Sequence, residues 1–310
     1  MIEELEQKFK QSHQYFMNGP ASECERLLGE CLEGYAALPE YGKIHPRTLQ
    51  IGHLLTQVLV YEKKYHEAFQ VKAKQLEYLD ADEKAPADQA FFCIRQMVEI
   101  ARDAEQYQPA MALCQQAVTR YQGKQIEWHA FLVLLAGTVA QAADELDKAF
   151  SHYDEVTTLL KRDNVEGHIL SAFAQYDMGT LERDRDNPKK ALDHFMRAEE
   201  ILRGLGKSAD VELRTHNQYQ MALLRAEARE PQGIIQELHS CLQNHTQVFG
   251  PKVPHTAKVH ASLGYHFHHG MNDKTKAKEH YTQARDIYIQ WLGKESAEAK
   301  GIDGLLEILG

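Results

Sequence analysis

Seventeen histidines, five cysteines and one GLGKS stretch are the residues of this 310-residue chain whose types could do chemistry. Nine of the histidines fall between His216 and His280, and YHFHHG from Tyr265 sets His266 and His269 on one helical face, a spacing that could hold a metal. No cysteine or carboxylate cluster at ligand spacing accompanies them, and HEAFQ at His66 lacks the second histidine of a zinc-protease helix. The expectation is solvated or groove-lining histidine and no bound metal. GLGKS, from Gly204 to Ser208, has Ile201 where a phosphate loop needs glycine, and a helix instead of a strand precedes it. It reads as a glycine-rich helix end. With no GxSxG and no nucleophile–base grouping legible from spacing, no catalytic residue, no cofactor and no enzymatic activity are expected.

The cysteines (Cys24, Cys31, Cys93, Cys114 and Cys241) are odd in number and lie in helical segments, which predicts small buried thiols in a reducing compartment. A net charge of -10 opposes a phosphate backbone or an anionic membrane surface, and the basic residues come as scattered pairs such as Lys63-Lys64 and Lys161-Arg162. The start, MIEELEQKFK, has no apolar leader, and no stretch approaches the ~20 apolar residues that span a bilayer. The sequence therefore predicts a soluble, cytoplasmic protein that binds neither nucleic acid nor membrane.

The elements that would position any site follow from one repeated spacing. In NPKKALDHFMRAEEIL from Asn187, small Ala191, aromatic Phe195 and small Ala198 share one helical face. The triplet recurs at Cys24, Leu28, Cys31; Ala68, Lys72, Gln75; Ala110, Cys114, Ala117; Ala149, Tyr153, Val156; Ile234, Leu238, Cys241; and Ala277, Tyr281, Ala284. First members are separated by 44, 42, 39, 42, 43 and 43 residues. So steady a period marks a repeat array, which grows by addition and not by enlarging one core. Small residues about twelve positions upstream (Gly137, Gly179, Ala222, Gly264) predict close helix crossings. Pro20, Pro109, Pro188 and Pro231 sit at turns entering second helices, the other five prolines lie between hairpins, and no strand pattern competes. Ile2, Leu5, Phe9 and Phe16 give the opening amphipathic helix, which Asn18-Gly19-Pro20 ends.

With Met178-Gly179 before Ala191, Phe195 and Ala198, and Leu263-Gly264 before Ala277, Tyr281 and Ala284, the chain resembles the tetratricopeptide repeat proteins. The period near 42 and the linkers YGKIHPRT and FGPKVPHT are similar to the longer repeats of kinesin light chains and bacterial relatives. The resemblance implies an all-α fold, a right-handed superhelical solenoid of about seven helical hairpins. It forms a single domain over 1-310, with repeats at roughly 1-40, 45-82, 87-122, 127-163, 167-205, 211-248 and 255-293 and a capping helix at 296-309.

In that family pattern the first helix of each hairpin lines a concave side. The inward positions expected to hold a partner are Arg95, Glu99, Arg102, Gln141, Phe173, Tyr176, Arg183, His216, Tyr219 and Tyr265, with His53 and Gln57 among their neighbours. Rings supply contact area, and amides and guanidinium groups pair with backbone and carboxylates. The positions where chaperone-binding relatives carry an asparagine hold Leu54, Gln96, Leu135, Asp177, Gln220 and Ser262 here. Neither a carboxylate clamp nor an asparagine grip on a peptide backbone is expected. The leading expectation is a non-enzymatic interaction module or adaptor that binds a protein or peptide segment in the groove. The alternative is a peptide-signal receptor that regulates a partner by changing shape. Such receptors carry an N-terminal effector domain, whereas the first repeat begins here almost at Met1, which favours the module.

Overall fold

One backbone device closes the turns inside the hairpins. Lys63, Glu105, Asp144, Asp186 and Asn272 are left-handed, with φ between 53° and 60°, and each stands five residues before the first member of its packing triplet. After the first four of them the next amide reaches back five residues, as from Lys64 to the Leu59 carbonyl at 2.8 Å and from Asn187 to the Glu182 carbonyl at 2.8 Å. This is the closure that satisfies the last carbonyls of a helix and turns the chain back on itself.

The computed structural model describes residues 2–18, 20–123, 125–206, 211–225 and 231–310, with the side chains of 16–18, 212 and 225 set aside. Gly19, the Phe16 side chain, and Lys207 and Ser208 of the GLGKS stretch lie outside the described residues. Among the described residues there are fifteen α-helices and no strand. The chain divides into two compact units, Met1–Leu159 and Leu160–Gly310.

The N-terminal unit holds α1 (Ile2–Asn18), α2 (Ala21–Ala37), α3 (Pro46–Tyr61), α4 (Tyr65–Asp80), α5 (Ala87–Asp103), α6 (Tyr107–Tyr121), α7 (Ile126–Ala142) and most of α8 (Leu146–Arg162). The odd-numbered helices α1 to α13 are the first of each hairpin. The triplets face inward: Cys24, Leu28 and Cys31 are buried, as are Ala110, Cys114 and Ala117, and Ala149, Tyr153 and Val156. Thr48 Oγ1 donates to the Gly42 carbonyl at 2.8 Å, which folds the YGKIHPRT linker against the start of α3. All five cysteines of the chain are buried free thiols, and four of them stand at packing-triplet positions.

One triplet breaks the rule with a measurable consequence. Lys72 takes the aromatic position yet is 1% exposed, and its Nζ donates to Gln75 Oε1 at 2.8 Å. Gln75 in turn fills the space over Gly52, where a Cβ would lie 2.1 Å from its Nε2. Burial pulls the Lys72 ammonium down to about 8. A folded value below the ordinary 10.4 means the penalty is complete below pH 8 and relieved only as pH rises toward 10.4, so it is fully felt at neutrality. It is on the order of 3 kcal/mol. The double substitution Lys72→Met, Gln75→Leu removes both polar groups together, and thermal unfolding of the N-terminal unit is expected at higher temperature. Lys72→Met alone, which strands the Gln75 carbonyl, should gain less.

The C-terminal unit continues from Leu160 with α9 (Ile169–Asp184), α10 (Pro188–Gly204), α11 (Val211–Arg225), α12 (Pro231–Phe249), α13 (Pro254–His269), α14 (Lys274–Leu292) and α15 (Ala297–Leu309). Ala191, Phe195 and Ala198 are fully buried, and so are Ala277, Tyr281 and Ala284. Thr256 Oγ1 donates to the Gly250 carbonyl at 2.7 Å, reproducing the Thr48–Gly42 linker in the second FGPKVPHT-type connection. Ser296 caps α15 by accepting the Ala299 amide at 3.3 Å. Ala299, Ile302 and Leu309 of α15 join the core of the last hairpins, with Leu305 and Leu306 packed against it.

Candidate functional site

In the N-terminal unit the inner faces of α3 and α5, with the end of α1 and the start of α2, enclose a cleft of about 820 Å³. Three-and-four spacing puts His53, Thr56, Gln57 and Val60 on the α3 wall, and Phe92, Arg95, Gln96, Glu99 and Asp103 on the α5 wall. Tyr15 and the exposed Tyr61 border it. Of the sequence-predicted residues, Arg95 and Glu99 line this cleft together.

The cleft has a rigid, mostly neutral floor. Gln96 Nε2 donates to His53 Nδ1 at 2.9 Å, which leaves the ring proton of His53 on Nε2. His53 packs edge-on against Phe92 with centroids 5.1 Å apart. Burial, reinforced by the charges of Lys72 and Arg95, holds its pKa below the ordinary value, so the ring is neutral at pH 7. Arg95 Nε donates to Glu99 Oε1 at 3.0 Å, and its guanidinium lies over the Phe131 ring at 5.3 Å. The Gln96 amide oxygen is buried and accepts no hydrogen bond. A buried acceptor left unmet costs about 1–3 kcal/mol.

Arg102 and Gln141 do not line this cleft. Arg102 Nε and Nη2 both donate to Asp103 Oδ1, at 3.0 and 2.8 Å. Gln141 Oε1 accepts the Tyr153 hydroxyl at 2.8 Å, holding the ring that packs against Gly137.

In the C-terminal unit, Phe173, Tyr176, Thr180 and Arg183 share one face of α9. Arg183 bridges two helices: Nη1 donates to Gln220 Oε1 of α11 at 2.6 Å, while Nε and Nη2 donate to Asp184 Oδ1 at 3.0 and 2.7 Å. Tyr176 is half-buried, with its ring 5.5 Å from that of Phe195. Phe173 packs beside Ala172, Leu202 and Leu213. Tyr219 is only 9% exposed, and its hydroxyl is shared with Ser262 Oγ at 2.7 Å and the Lys258 carbonyl at 3.3 Å. It ties α11 to α13 and offers little contact surface. His216 sits among the rings of His245, Phe249 and His255. Tyr265 is 51% exposed, its ring 4.5 Å from His269.

The histidines group across helices in a way that spacing along one helix did not reveal. His260 Nδ1 and His280 Nδ1 are 3.0 Å apart, with Phe267 stacked on His280 and His239 beside both. Among the described residues no group of three His, Cys, Asp or Glu side chains is arranged to hold a metal ion, and no helix is long and apolar enough to cross a membrane.

The helical-hairpin architecture is similar to that of the tetratricopeptide repeat proteins. Residues 130–204 match the tetratricopeptide repeat family model, and the same hairpin, with its small–large–small face, recurs on both sides of that stretch. Three solved structures share the fold. BtubC (BKLC) from P. vanneervenii is 12% identical, with 75% of this chain and 94% of that chain covered and a TM-score of 0.63. The apo form of RapI is 14% identical over 92% and 97%, with a TM-score of 0.57. The Q17M form of the Podosopora anserina putative kinesin light chain repeats is 13% identical over 64% and 93%, with a TM-score of 0.51. No curated protein matches the chain.

Proposed function

We propose that this chain is a non-enzymatic interaction module, an adaptor that holds a peptide or protein segment of a partner against the inner faces of its first helices. The cleft between α3 and α5 carries the reading. It joins aromatic surface at Phe92, Tyr15 and Tyr61 to amide groups at Gln57 and Gln96, and one of those amides has a buried oxygen still without a donor. An extended segment or the exposed end of a helix presents the backbone N–H that such an acceptor needs. The charged groups beside it are already neutralised in pairs, so shape and hydrogen bonding would select the occupant more than net attraction. Five buried free thiols suit a reducing, cytoplasmic setting, and the reading calls for no cofactor.

A random twelve-residue peptide library displayed against the whole chain tests it. Isolated binders are expected to lose at least tenfold in affinity on Gln57→Ala, Gln96→Ala, as removal of central contacts does. Binders that hold equally well to this variant would count against the cleft, and unchanged thermal unfolding of the variant guards against a folding artefact.

A further inference from the structure

Three acids of the inner helices have an arginine beside them, and a fourth, Asp177, does not. Glu99 faces Arg95, Asp103 faces Arg102 and Asp184 faces Arg183. Among the described residues, Asp177, on the same face of α9 as Phe173, Thr180 and Arg183, has no ion pair and no hydrogen bond to its carboxylate, while its main-chain carbonyl accepts from Thr180 Oγ1 at 2.8 Å. Two arginines of this unit are committed elsewhere. Arg183 is divided between Asp184 and Gln220, and Arg214 donates to the carbonyls of Leu202 and Gly206.

The side chain is recessed yet not sealed. It is crowded closely enough for burial to push its carboxyl up to about 7, while the residue keeps part of its surface in contact with solvent. A recessed carboxylate with no counter-charge is costly, and a cation that reached it would recover that cost.

We propose that Asp177 is the seat for a single lysine or arginine side chain of the bound protein segment. This rests on the inner-face reading above and adds the partner's chemistry. Tyr176 lies near enough to feel the charge of Asp177, and a half-buried ring there offers apolar surface for the stem of a long basic side chain. A polyamine would need several free carboxylates in a row, and the next acid along this face, Asp184, is already paired. The net charge of -10 favours a basic segment over an acidic one.

The test is a double-mutant cycle on the intact chain with lysine- or arginine-bearing binders from the peptide library. Replacing the basic residue by norleucine is expected to weaken binding to the parent at least tenfold and to Asp177→Asn less than twofold, and binding to the parent should weaken as pH falls below 7. Equal losses on both proteins would overturn the assignment while leaving the inner-face reading intact. A library that yields no binder at all would overturn both. Spermidine displacing the peptides from the parent but not from Asp177→Asn would overturn the choice of partner. Asp177→Asn unfolds no more easily than the parent if the carboxylate is the costly group described, so a less stable variant also counts against it.

Discussion

Acidified from pH 7 to pH 5, the unit from Leu160 to Gly310 is expected to open before the unit that precedes it. His245 is 2% exposed and His260 8% exposed, and burial holds both at about 4, with neighbouring histidines adding to the effect. Because these folded values lie below the ordinary 6.5, stability is intact above pH 6.5 and is lost as pH falls from 6.5 toward 4. Each of the two costs about 2 kcal/mol by pH 5, against about 5–15 kcal/mol for a whole domain. The geometry explains why protonation is not simply absorbed. His245 Nδ1 already donates to the Cys241 carbonyl at 2.9 Å, so a second proton would enter at Nε2, within the group formed by His216, His255, Tyr219 and Phe249. His260 and His280 share one hydrogen bond between their Nδ1 atoms, and a proton on the acceptor breaks it. Lys276, whose Nζ lies 5.2 Å from the Phe267 ring centroid, adds further positive charge beside His280.

Asp177 acts in the opposite sense. Its folded value lies above the ordinary one, so it gains stability as pH falls from 7 toward 4 and offsets part of the loss. Asp177→Asn should therefore sharpen the acid transition. The two tryptophans make the experiment direct, since Trp128 stacks on Phe91 in one unit and Trp291 donates to the Lys252 carbonyl in the other. In Trp128→Phe the fluorescence of Trp291 should change between pH 6 and 4.5. In Trp291→Phe that of Trp128 should change at lower pH. Coincident changes, or none above pH 4, would contradict this.

The second large effect is expected at the helix crossings. A Cβ on Gly179 would stand 2.7 Å from Phe195 Cε1, on Gly137 2.4 Å from Tyr153 Cε1 and on Gly264 2.6 Å from Tyr281 Cδ1. Each glycine thus lets one ring lie against a bare backbone. Phe195 is fully buried beside Ala191 and Met221, and Phe195→Ala is expected to cost about 3–5 kcal/mol. Gly179→Ala should also destabilise, by about 1–3 kcal/mol of overpacking, although alanine favours a helix interior by about 1 kcal/mol. In Gly179→Ala, Phe195→Leu the smaller side chain relieves the clash, and much of that loss should be recovered. Denaturant midpoints for the parent, Gly179→Ala, Phe195→Leu and the double variant decide it: additive losses in the double variant would mean that the ring and the glycine do not meet.

The helices were legible because their signals are local and repeated. Small residues at fixed distance from a ring, prolines only at helix starts and linkers, and linkers of like composition all follow from packing identical hairpins. The turns were not legible, because the left-handed position is filled by Lys63, Glu105, Asp144, Asp186 and Asn272, which share a backbone conformation across four residue types, none of them glycine. Lys72 and Gln75 read as a degraded copy of the triplet, yet they are buried, since a long aliphatic stem and an amide can fill the space a ring occupies elsewhere.

The inner faces were legible as positions and less so as chemistry. Arg95 and Glu99 line the cleft, but the buried Tyr219 is held by Ser262, and Arg102 and Arg183 are tied by the aspartates that follow them in sequence. Asp177 stood in the sequence only as a residue where relatives carry asparagine. Its lack of a partner is a property of packing. The histidine groups join residues about one repeat apart, such as His239 and His280, and a search for ligand pairs within one helix, as at His266 and His269, passes over them.

Site-specific photo-cross-linking in the living host tests the binding face most directly. Benzoylphenylalanine would be placed at exposed Gln57 on α3 and Tyr265 on α13, and, for comparison, at exposed Gln116 on α6 and Glu200 on α10. Discrete protein adducts formed from Gln57 and Tyr265, and absent from Gln116 and Glu200, are the expected result. Adducts formed only from the second helices, or equally from all four positions, would contradict a partner held on the inner faces.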